Sequence, residues 1–174
     1  MKPGYHIAFS SLLAGIFYII TKSWTISVAS LISGIFIDLD HIYDVLREHG
    51  RPFTIERFFS ICYSCNFHKI MLPMHGWEWL LLFWAAAWFT KWNPVVVGIL
   101  IGYSQHLLLD ALNNSPHFLT YSLIWRWKKG FDYDETFGAR LPRKKGRDCQ
   151  TQSFRVNASP GLMIKLVNFL NKLY

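Results

Sequence analysis

Charged residues are scarce in this chain, which argues against an ordinary soluble domain. Asp, Glu, Lys and Arg make up 17% of its 174 residues, against roughly 25% in a typical soluble protein. Hydrophobic residues reach 52%, and the formal net charge is +7. A basic chain can bind nucleic acid or an anionic membrane surface. The long apolar segments described below favour the membrane, so no nucleic-acid partner is expected and membrane lipids are.

Cysteine is also rare, and the few residues present do not form a disulfide framework. The chain has three, Cys62, Cys65 and Cys149, an odd number. Cys62 and Cys65 form a CxxC motif, which in other settings binds zinc or acts in redox chemistry. Neither a second CxxC nor a βαβ pattern accompanies it. We therefore interpret these residues as ordinary thiols in a reducing compartment, with a redox or metal role as the alternative.

Four segments are apolar around their whole circumference, which is typical of helices without a water-facing side. They cover residues 5–21, 24–37, 77–89 and 94–109. Their lengths lie at or below the ~17–25 residues that cross the hydrocarbon of a bilayer, and polar ends extend the second to residue 43 and the fourth to residue 112. The sequence predicts an all-α integral membrane bundle of four transmembrane helices. A soluble helical protein with buried core helices is the alternative.

The connections between these segments predict two antiparallel hairpins. Short turns at residues 22–23 and 91–93 would lie on one side of the membrane, and the N-terminus, the 44–74 loop and the tail on the other. Only Lys22 and Lys91 of the 18 Lys and Arg residues are on the turn side, which leaves 16 on the other. By the positive-inside rule that side is cytoplasmic. We expect a multi-pass protein of the inner (plasma) membrane with both termini in the cytoplasm. No cleavable signal peptide is evident.

Glycine and amphipathic segments complete the predicted fold. Close helix contacts are expected at Gly15, Gly34, Gly98 and Gly102.

Two segments outside the predicted spans are amphipathic, residues 53–61 in the loop and 160–173 at the C-terminus. Both are predicted as interfacial helices, although the second could instead pack on the other helices. The predicted organisation is a membrane domain at residues 1–115, which includes the 44–74 interfacial loop, and a basic cytoplasmic tail at 116–174.

Ionisable residues gather at the helix ends that this topology brings to the cytoplasmic side. They are His6 at the start of the first segment, Asp38, Asp40 and His41 at the end of the second, His75 and Glu78 at the start of the third, and His106 and Asp110 at the end of the fourth. His106 and Asp110 are four residues apart on one helix face, the kind of spacing from which bundle metal sites are built. An unpaired ionisable residue in an apolar helix costs at least ~2.5 kcal/mol, so a functional partner is expected.

This pattern predicts a divalent metal site. The proposed ligands are His6, Asp38, Asp40, His41, His75, His106 and Asp110. Imidazole and carboxylate together suit zinc, which we favour, as well as manganese or iron. Glu78 or Asp38 is the expected general base. A proton or metal-ion transporter and a non-catalytic membrane scaffold are the alternatives, but the helix centres carry only Ser, Thr and Gly, which counts against a pathway across the membrane.

Basic residues outside the helices are the candidates for substrate binding. His68 and Lys69 precede His75, and Arg143 and Lys144 belong to a basic run at residues 140–147. For the run itself, a solvated loop that meets anionic headgroups is the simpler interpretation, with phosphate binding as the alternative. A site at headgroup depth with Lys and Arg around it would suit a lipid phosphate or another anionic amphiphile.

The arrangement of these residues resembles the prokaryotic family of membrane-bound metal-dependent hydrolases. The resemblance rests on His6, on the Asp38-Leu39-Asp40-His41 element, on His75 and on the Gln105-His106-x3-Asp110 element, and covers residues 1–115. The family usually has His-Arg-x3-His-Ser before its third helix, whereas here six residues separate His68 from His75, and Gly76 stands where Ser is usual. The resemblance implies hydrolase activity at the inner membrane and leaves the substrate open.

Overall fold

The computed structural model describes residues 3–50, 54–64, 67–114 and 117–137, and within these ranges the chain is helical. The α-helices are α1 (Pro3–Thr21), α2 (Trp24–Phe36), α3 (Asp40–His49), α4 (Ile55–Ser64), α5 (Trp77–Phe89), α6 (Pro94–Asn114), α7 (Leu123–Lys128) and α8 (Tyr133–Phe137). Two 3-10 helices lie at Ile37–Leu39 and Phe118–Tyr121. The predicted all-α class is confirmed. The C-terminal amphipathic segment, Arg143, Lys144, Cys65 and Cys149 lie outside the described residues.

Three helical stretches are long and apolar enough to cross a membrane: Gly4–Thr21, Trp24–His49 and Pro94–Asn114. The second combines α2, the 3-10 helix and α3, so it continues past residue 43, where we expected it to end. The fourth predicted span is the 13-residue α5. At 1.5 Å per residue this helix is about 20 Å long, shorter than the ~30 Å hydrocarbon core of a bilayer.

The outside of the molecule is apolar and the contacts between its long helices are polar. Leu12, Ile20, Trp24 and Leu81 are all more than 60% exposed. The buried residues of α1, α2 and α6 include instead Ser10, Ser27, Ser30, His6, His106 and Asp110. Such large exposed apolar surfaces are rare in water, whereas hydrocarbon surroundings stabilise them. The distribution agrees with the predicted membrane location.

Glycine lets α2 and α6 approach one another closely. A Cβ atom at Gly102 would lie 2.1 Å from the Ser30 carbonyl oxygen and 2.2 Å from Ser33 Oγ, and one at Gly98 would lie 2.6 Å from the Ile26 carbonyl oxygen. Both positions therefore require glycine, as the small-xxx-small pattern predicts. The expectation for Gly15 was wrong, because no atom lies within 4 Å of a Cβ built there.

The Gly102→Ala substitution should separate α2 from α6 and destabilise the protein by about 1–3 kcal/mol, since the added methyl group meets backbone that cannot move independently. Thermal unfolding of the purified protein in detergent measures the effect. Gly15→Ala is the matched control and should leave the melting temperature unchanged or slightly higher, because alanine has the higher helix propensity. Equal melting temperatures for the Gly102→Ala variant and the wild type would contradict the close contact.

The residues that follow α6 pack back onto the segment between α4 and α5. Tyr133 donates its backbone N–H to the His68 carbonyl, and Ile70 donates its N–H to the Phe131 carbonyl. A buried core lies around this contact and includes Val45, Phe67, Leu72, Leu107, Tyr121 and Tyr133. Residues 117–137 therefore cover the end of the bundle that carries the predicted site.

Candidate metal centre

Four parts of the chain bring ionisable side chains together at one end of the bundle. His6 comes from α1, Asp38 from the 3-10 helix after α2, His75 from the residue pair before α5, and His106 and Asp110 from α6. The three histidines and Asp110 are at most 3% exposed. The side chain of Asp38 is 27% exposed and marks the side from which the cluster can be reached.

The distances within this cluster fit the ligand spacing of a small divalent cation. Nε2 of His75 lies 3.1 Å from Nε2 of His106 and 3.3 Å from Oδ2 of Asp110. The His106 Nε2 atom is 3.5 Å from the same Asp110 oxygen. Oδ1 of Asp38 lies 3.4 Å from His106 Nε2 and 3.6 Å from His75 Nε2. Tetrahedral ligands with bonds of ~2.0–2.1 Å are about 3.3–3.4 Å apart, so these five distances match a shared ion.

His6 approaches the same carboxylate from the other side. Its Nε2 atom lies 3.1 Å from Oδ1 of Asp110 without hydrogen-bond geometry. The His6 ring stacks on that of His106, with 4.1 Å between ring centroids. Asp110 Oδ1 also accepts a hydrogen bond from the Asn114 side chain. Stacking on His106 thus orients the His6 ring with Nε2 toward the cluster.

The rings of His75 and His106 both present Nε2 to the cluster because their Nδ1 atoms are engaged elsewhere. Nδ1 of His106 lies 2.8 Å from the Gly34 carbonyl oxygen, which can only accept. Nδ1 of His75 lies 2.9 Å from Oδ2 of Asp40. Such outer contacts fix the tautomer of metal-binding histidines and direct the Nε2 lone pair at the ion. Two lone pairs that face one another across 3.1 Å call for a cation near both.

The surrounding carboxylates favour positive charge at this position. Burial alone would lower the pKa of His75, but Asp40, Asp110 and Asp38 outweigh that effect and raise the pKa well above its ordinary value. A buried group of three carboxylates needs positive charge to remain ionised at low cost. Either protons on the histidines or a metal ion can supply it.

His75 reaches the cluster from an irregular segment that is bound along its length by α3. Asp40, Asp44 and Glu48 lie on one face of α3 at a spacing of four residues. Asp40 accepts the Met74 N–H, Asp44 accepts those of Met71 and Leu72, and Glu48 accepts those of His68 and Lys69. The segment therefore runs antiparallel to the helix and pairs its backbone donors with three carboxylates. In lipid or a dry interior, an irregular backbone persists only if such groups are satisfied.

The carbonyl groups of the same segment form hydrogen bonds with Arg126 and Tyr103, two residues that were not among the predicted site residues. The guanidinium of Arg126, fully buried, donates to Met71, Leu72 and His75 carbonyl oxygens at 2.8, 3.3 and 2.5 Å. The Tyr103 hydroxyl lies 2.6 Å from the Met74 carbonyl oxygen and accepts the Gly76 N–H. The acidic residues at a spacing of four were visible in the sequence. Nothing near Arg126 in the sequence indicated its role.

The other predicted metal and catalytic residues lie in two different environments. His41 and Asp40 border the cluster, with His41 Nδ1 3.3 Å from Asp40 Oδ1. Glu78 is directed elsewhere, because its carboxylate accepts hydrogen bonds from Ser122 Oγ and from the Leu123 and Ile124 N–H groups at the start of α7. The position of Glu78 is therefore that of a helix cap, and the prediction that it is a general base finds no support in its contacts.

His68 and Lys69, the two predicted substrate-binding residues that the structure describes, are not part of the cluster. The His68 side chain is 85% exposed and its ring lies 3.7 Å from Glu48. Lys69 is also exposed, and its carbonyl oxygen accepts a hydrogen bond from Arg47. A role for these two residues in substrate binding stays a prediction, as does one for Arg143 and Lys144.

Cys62 has the properties of an unreactive thiol. Burial raises its pKa to about 12, and Asp38 and Asp44 contribute in the same direction. A thiol with such a pKa is protonated at neutral pH and is neither a good nucleophile nor a ready metal ligand. This agrees with our interpretation of the residue as an ordinary cysteine.

Chemically, the cluster offers three imidazole nitrogens and two carboxylates to one small volume, a donor set that suits zinc, manganese or iron. Burial excludes water from most sides of the cluster. The partly exposed side chain of Asp38 leaves the cluster accessible from one side. Comparisons of the chain with protein families, with curated proteins and with solved structures found no match.

Proposed function

We propose that this chain is a membrane-embedded metal-dependent hydrolase, as the resemblance of its histidine and aspartate motifs implies. One observation carries the proposal: the Nε2 atoms of His75 and His106 face each other at 3.1 Å, with Oδ2 of Asp110 within 3.5 Å of both. Each Nδ1 atom has its own partner outside the cluster, which is the arrangement found in metal-binding histidines.

In this proposal the residues have distinct tasks. His6, His75, His106, Asp110 and Asp38 hold the ion. Asp40 orients His75 through its Nδ1 atom, and the Gly34 carbonyl does the same for His106. A bound divalent cation supplies a water molecule whose pKa is lowered toward ~7 and stabilises negative charge on reacting oxygen atoms. In this proposal Asp38 contacts the ion through Oδ1, the atom that lies 3.4 Å from His106 Nε2, and its other oxygen accepts a proton from a water molecule.

The proposed setting is the cytoplasmic interface of the inner membrane, with α5 completing a four-helix arrangement of two hairpins. Apolar residues next to Asp38 on the same stretch of helix support a substrate that comes from the lipid. Phe36, Leu39 and Tyr43 are each about half exposed and follow a helical spacing of three to four residues, so they form one apolar stripe on the stretch of helix that carries Asp38. The proposed substrate is an amphiphile such as a phospholipid or isoprenoid phosphate, whose apolar chain would lie against this helix while its head group reaches the cluster.

Metal content tests the proposal. Protein purified in detergent and dialysed against trace zinc or manganese should hold at least one ion per chain by elemental analysis, and His106→Ala and Asp110→Ala should lose it. The control is His68→Ala, which removes an exposed histidine and should keep the wild-type content. Equal metal content in wild type and the two cluster variants would remove the metal site and the hydrolase together.

Hydrolysis tests the second half of the proposal. The metal-loaded wild type should release free phosphate or free alcohol from one member of a panel of lipid phosphates in mixed micelles. Asp38→Asn should lower the rate on such a substrate by at least about 100-fold, the usual contribution of a general base. Bound metal without turnover of any lipid phosphate or ester would leave a metal-binding membrane protein and exclude the enzyme.

A further inference from the structure

Within the described ranges, two buried atoms beside the cluster lack a hydrogen-bond partner and do not belong to the first set of ligands. They are Nδ1 of His41 and Oδ1 of Asp40. The Asp40 side chain is only 5% exposed, and its other oxygen is already occupied by His75 and by the Met74 N–H. Leaving a buried acceptor unpaired is unfavourable, so this pair of atoms needs an explanation.

The two atoms face one another without forming a hydrogen bond. Nδ1 of His41 lies 3.3 Å from Oδ1 of Asp40, yet the angles are not those of an N–H directed at an oxygen. A separation of 3.3 Å is the distance expected between two ligands of one cation.

Asp38 connects this pair to the first ligand set. Its Oδ1 atom lies 3.8 Å from His41 Nδ1 as well as 3.4 Å from His106 Nε2. Asp38, His41 and His75 also form a second group of potential ligands that shares Asp38 with the group of His6, His106 and Asp110. Hydrolytic two-metal sites place their ions ≈ 3.5–4 Å apart and commonly need a ligand between them. Oδ1 of Asp38 lies between the two groups and is therefore the atom that could contact both ions.

We propose that the site holds a second divalent cation, bound by His41 Nδ1 and Asp40 Oδ1 and bridged to the first ion by Asp38. The inference rests on the proposed function, because the first ion is its neighbour. One nitrogen and two carboxylates make a harder and less complete donor set than the first, so manganese or magnesium suits it as well as zinc. His41 and Asp38 are the partly exposed members, each 27%. The open coordination positions of the second ion therefore face the accessible side, where an anionic head group would bind.

Metal stoichiometry and magnetic coupling test the second site directly. Metal-depleted protein in detergent is titrated with Mn(II), and the bound ions per chain are counted after desalting. The wild type should bind two, with an electron paramagnetic resonance spectrum of an exchange-coupled pair. His41→Ala and His41→Gln should each bind one, with an uncoupled spectrum. His68→Ala, the exposed-histidine control, should bind two like the wild type.

The outcomes separate the two proposals. A wild type that binds a single uncoupled ion overturns the second site while the first stands, and this result needs no variant to fold. Two ions in both His41 variants also overturn it, since the second ion would then lie elsewhere. A wild type that binds no ion overturns the proposed function itself. Loss of exactly half of the bound manganese in the His41 variants, with unchanged helicity by circular dichroism, supports the second site.

Discussion

Replacing Arg126 by methionine should lower the free energy of unfolding by about 3–5 kcal/mol, the effect expected when a buried charged network loses one member. The guanidinium donates to three carbonyl groups of the segment that carries His75. Methionine fills a similar volume and donates nothing, so these carbonyl oxygens would remain buried without a partner. The positive charge near Asp40 and Asp44 would also disappear.

The same substitution should weaken metal binding, because the His75 carbonyl is one of the three acceptors. Thermal unfolding in detergent gives the stability, and a Mn(II) titration gives the affinity. Arg57→Met is the matched control, since Arg57 is exposed on α4, and it should change neither. Should the Arg126→Met variant unfold at the wild-type temperature and bind metal equally well, the segment would not depend on Arg126.

The cluster could be predicted from the sequence because its residues stand at or next to helix ends. A helix fixes the direction of its residues, so the spacing of His106 and Asp110 was enough to place both on one face. His6 was predicted at the same end of the bundle because two apolar helices with a two-residue connection must be antiparallel. The grouping of these residues with Asp38 and His75 follows from helix length and connection alone, and all five lie together in the structure.

The tasks of the individual carboxylates could not be predicted in the same way. The sequence predicted Asp40 as a metal ligand and Glu78 as a general base, yet Asp40 accepts a backbone N–H of the irregular segment before α5 and Glu78 accepts N–H groups at the start of α7. Irregular segments have no periodicity, so the side chains that satisfy their backbone come from anywhere in the chain. Arg126, 51 residues beyond His75, illustrates this. The bounds of α5 were predicted correctly from the sequence, at Trp77 and Phe89, but apolar composition alone did not show whether so short a helix crosses a membrane.

Removing the metal should destabilise the wild type strongly. If the ion is present at about 1,000 times its dissociation constant, chelation costs about 4 kcal/mol, which corresponds to roughly 8–16 °C in melting temperature for a chain of this size. Melting curves with and without EDTA in detergent measure it. Asp110→Ala, which lacks a ligand, should melt at one temperature in both conditions. A chelator effect of equal size in that variant would mean that the ion acts at another place.

The loss on chelation should grow as the pH rises. In the metal-free protein the carboxylates raise the pKa of His75 well above 6.5. A group with a raised pKa in the folded state contributes stability fully below its unfolded value, near 6.5, and loses that contribution as the pH rises through the folded value. In mildly acidic solution, protons on the histidines therefore supply the positive charge that the ion would otherwise supply, and in alkaline solution they no longer do so. Metal binding, by contrast, strengthens as the pH rises, because its ligands lose their protons. Melting curves from pH 6 to 9 should show a widening gap between loaded and chelated wild type. A constant gap would mean that protons and metal do not compete for the cluster, in which case His75 is not one of its ligands.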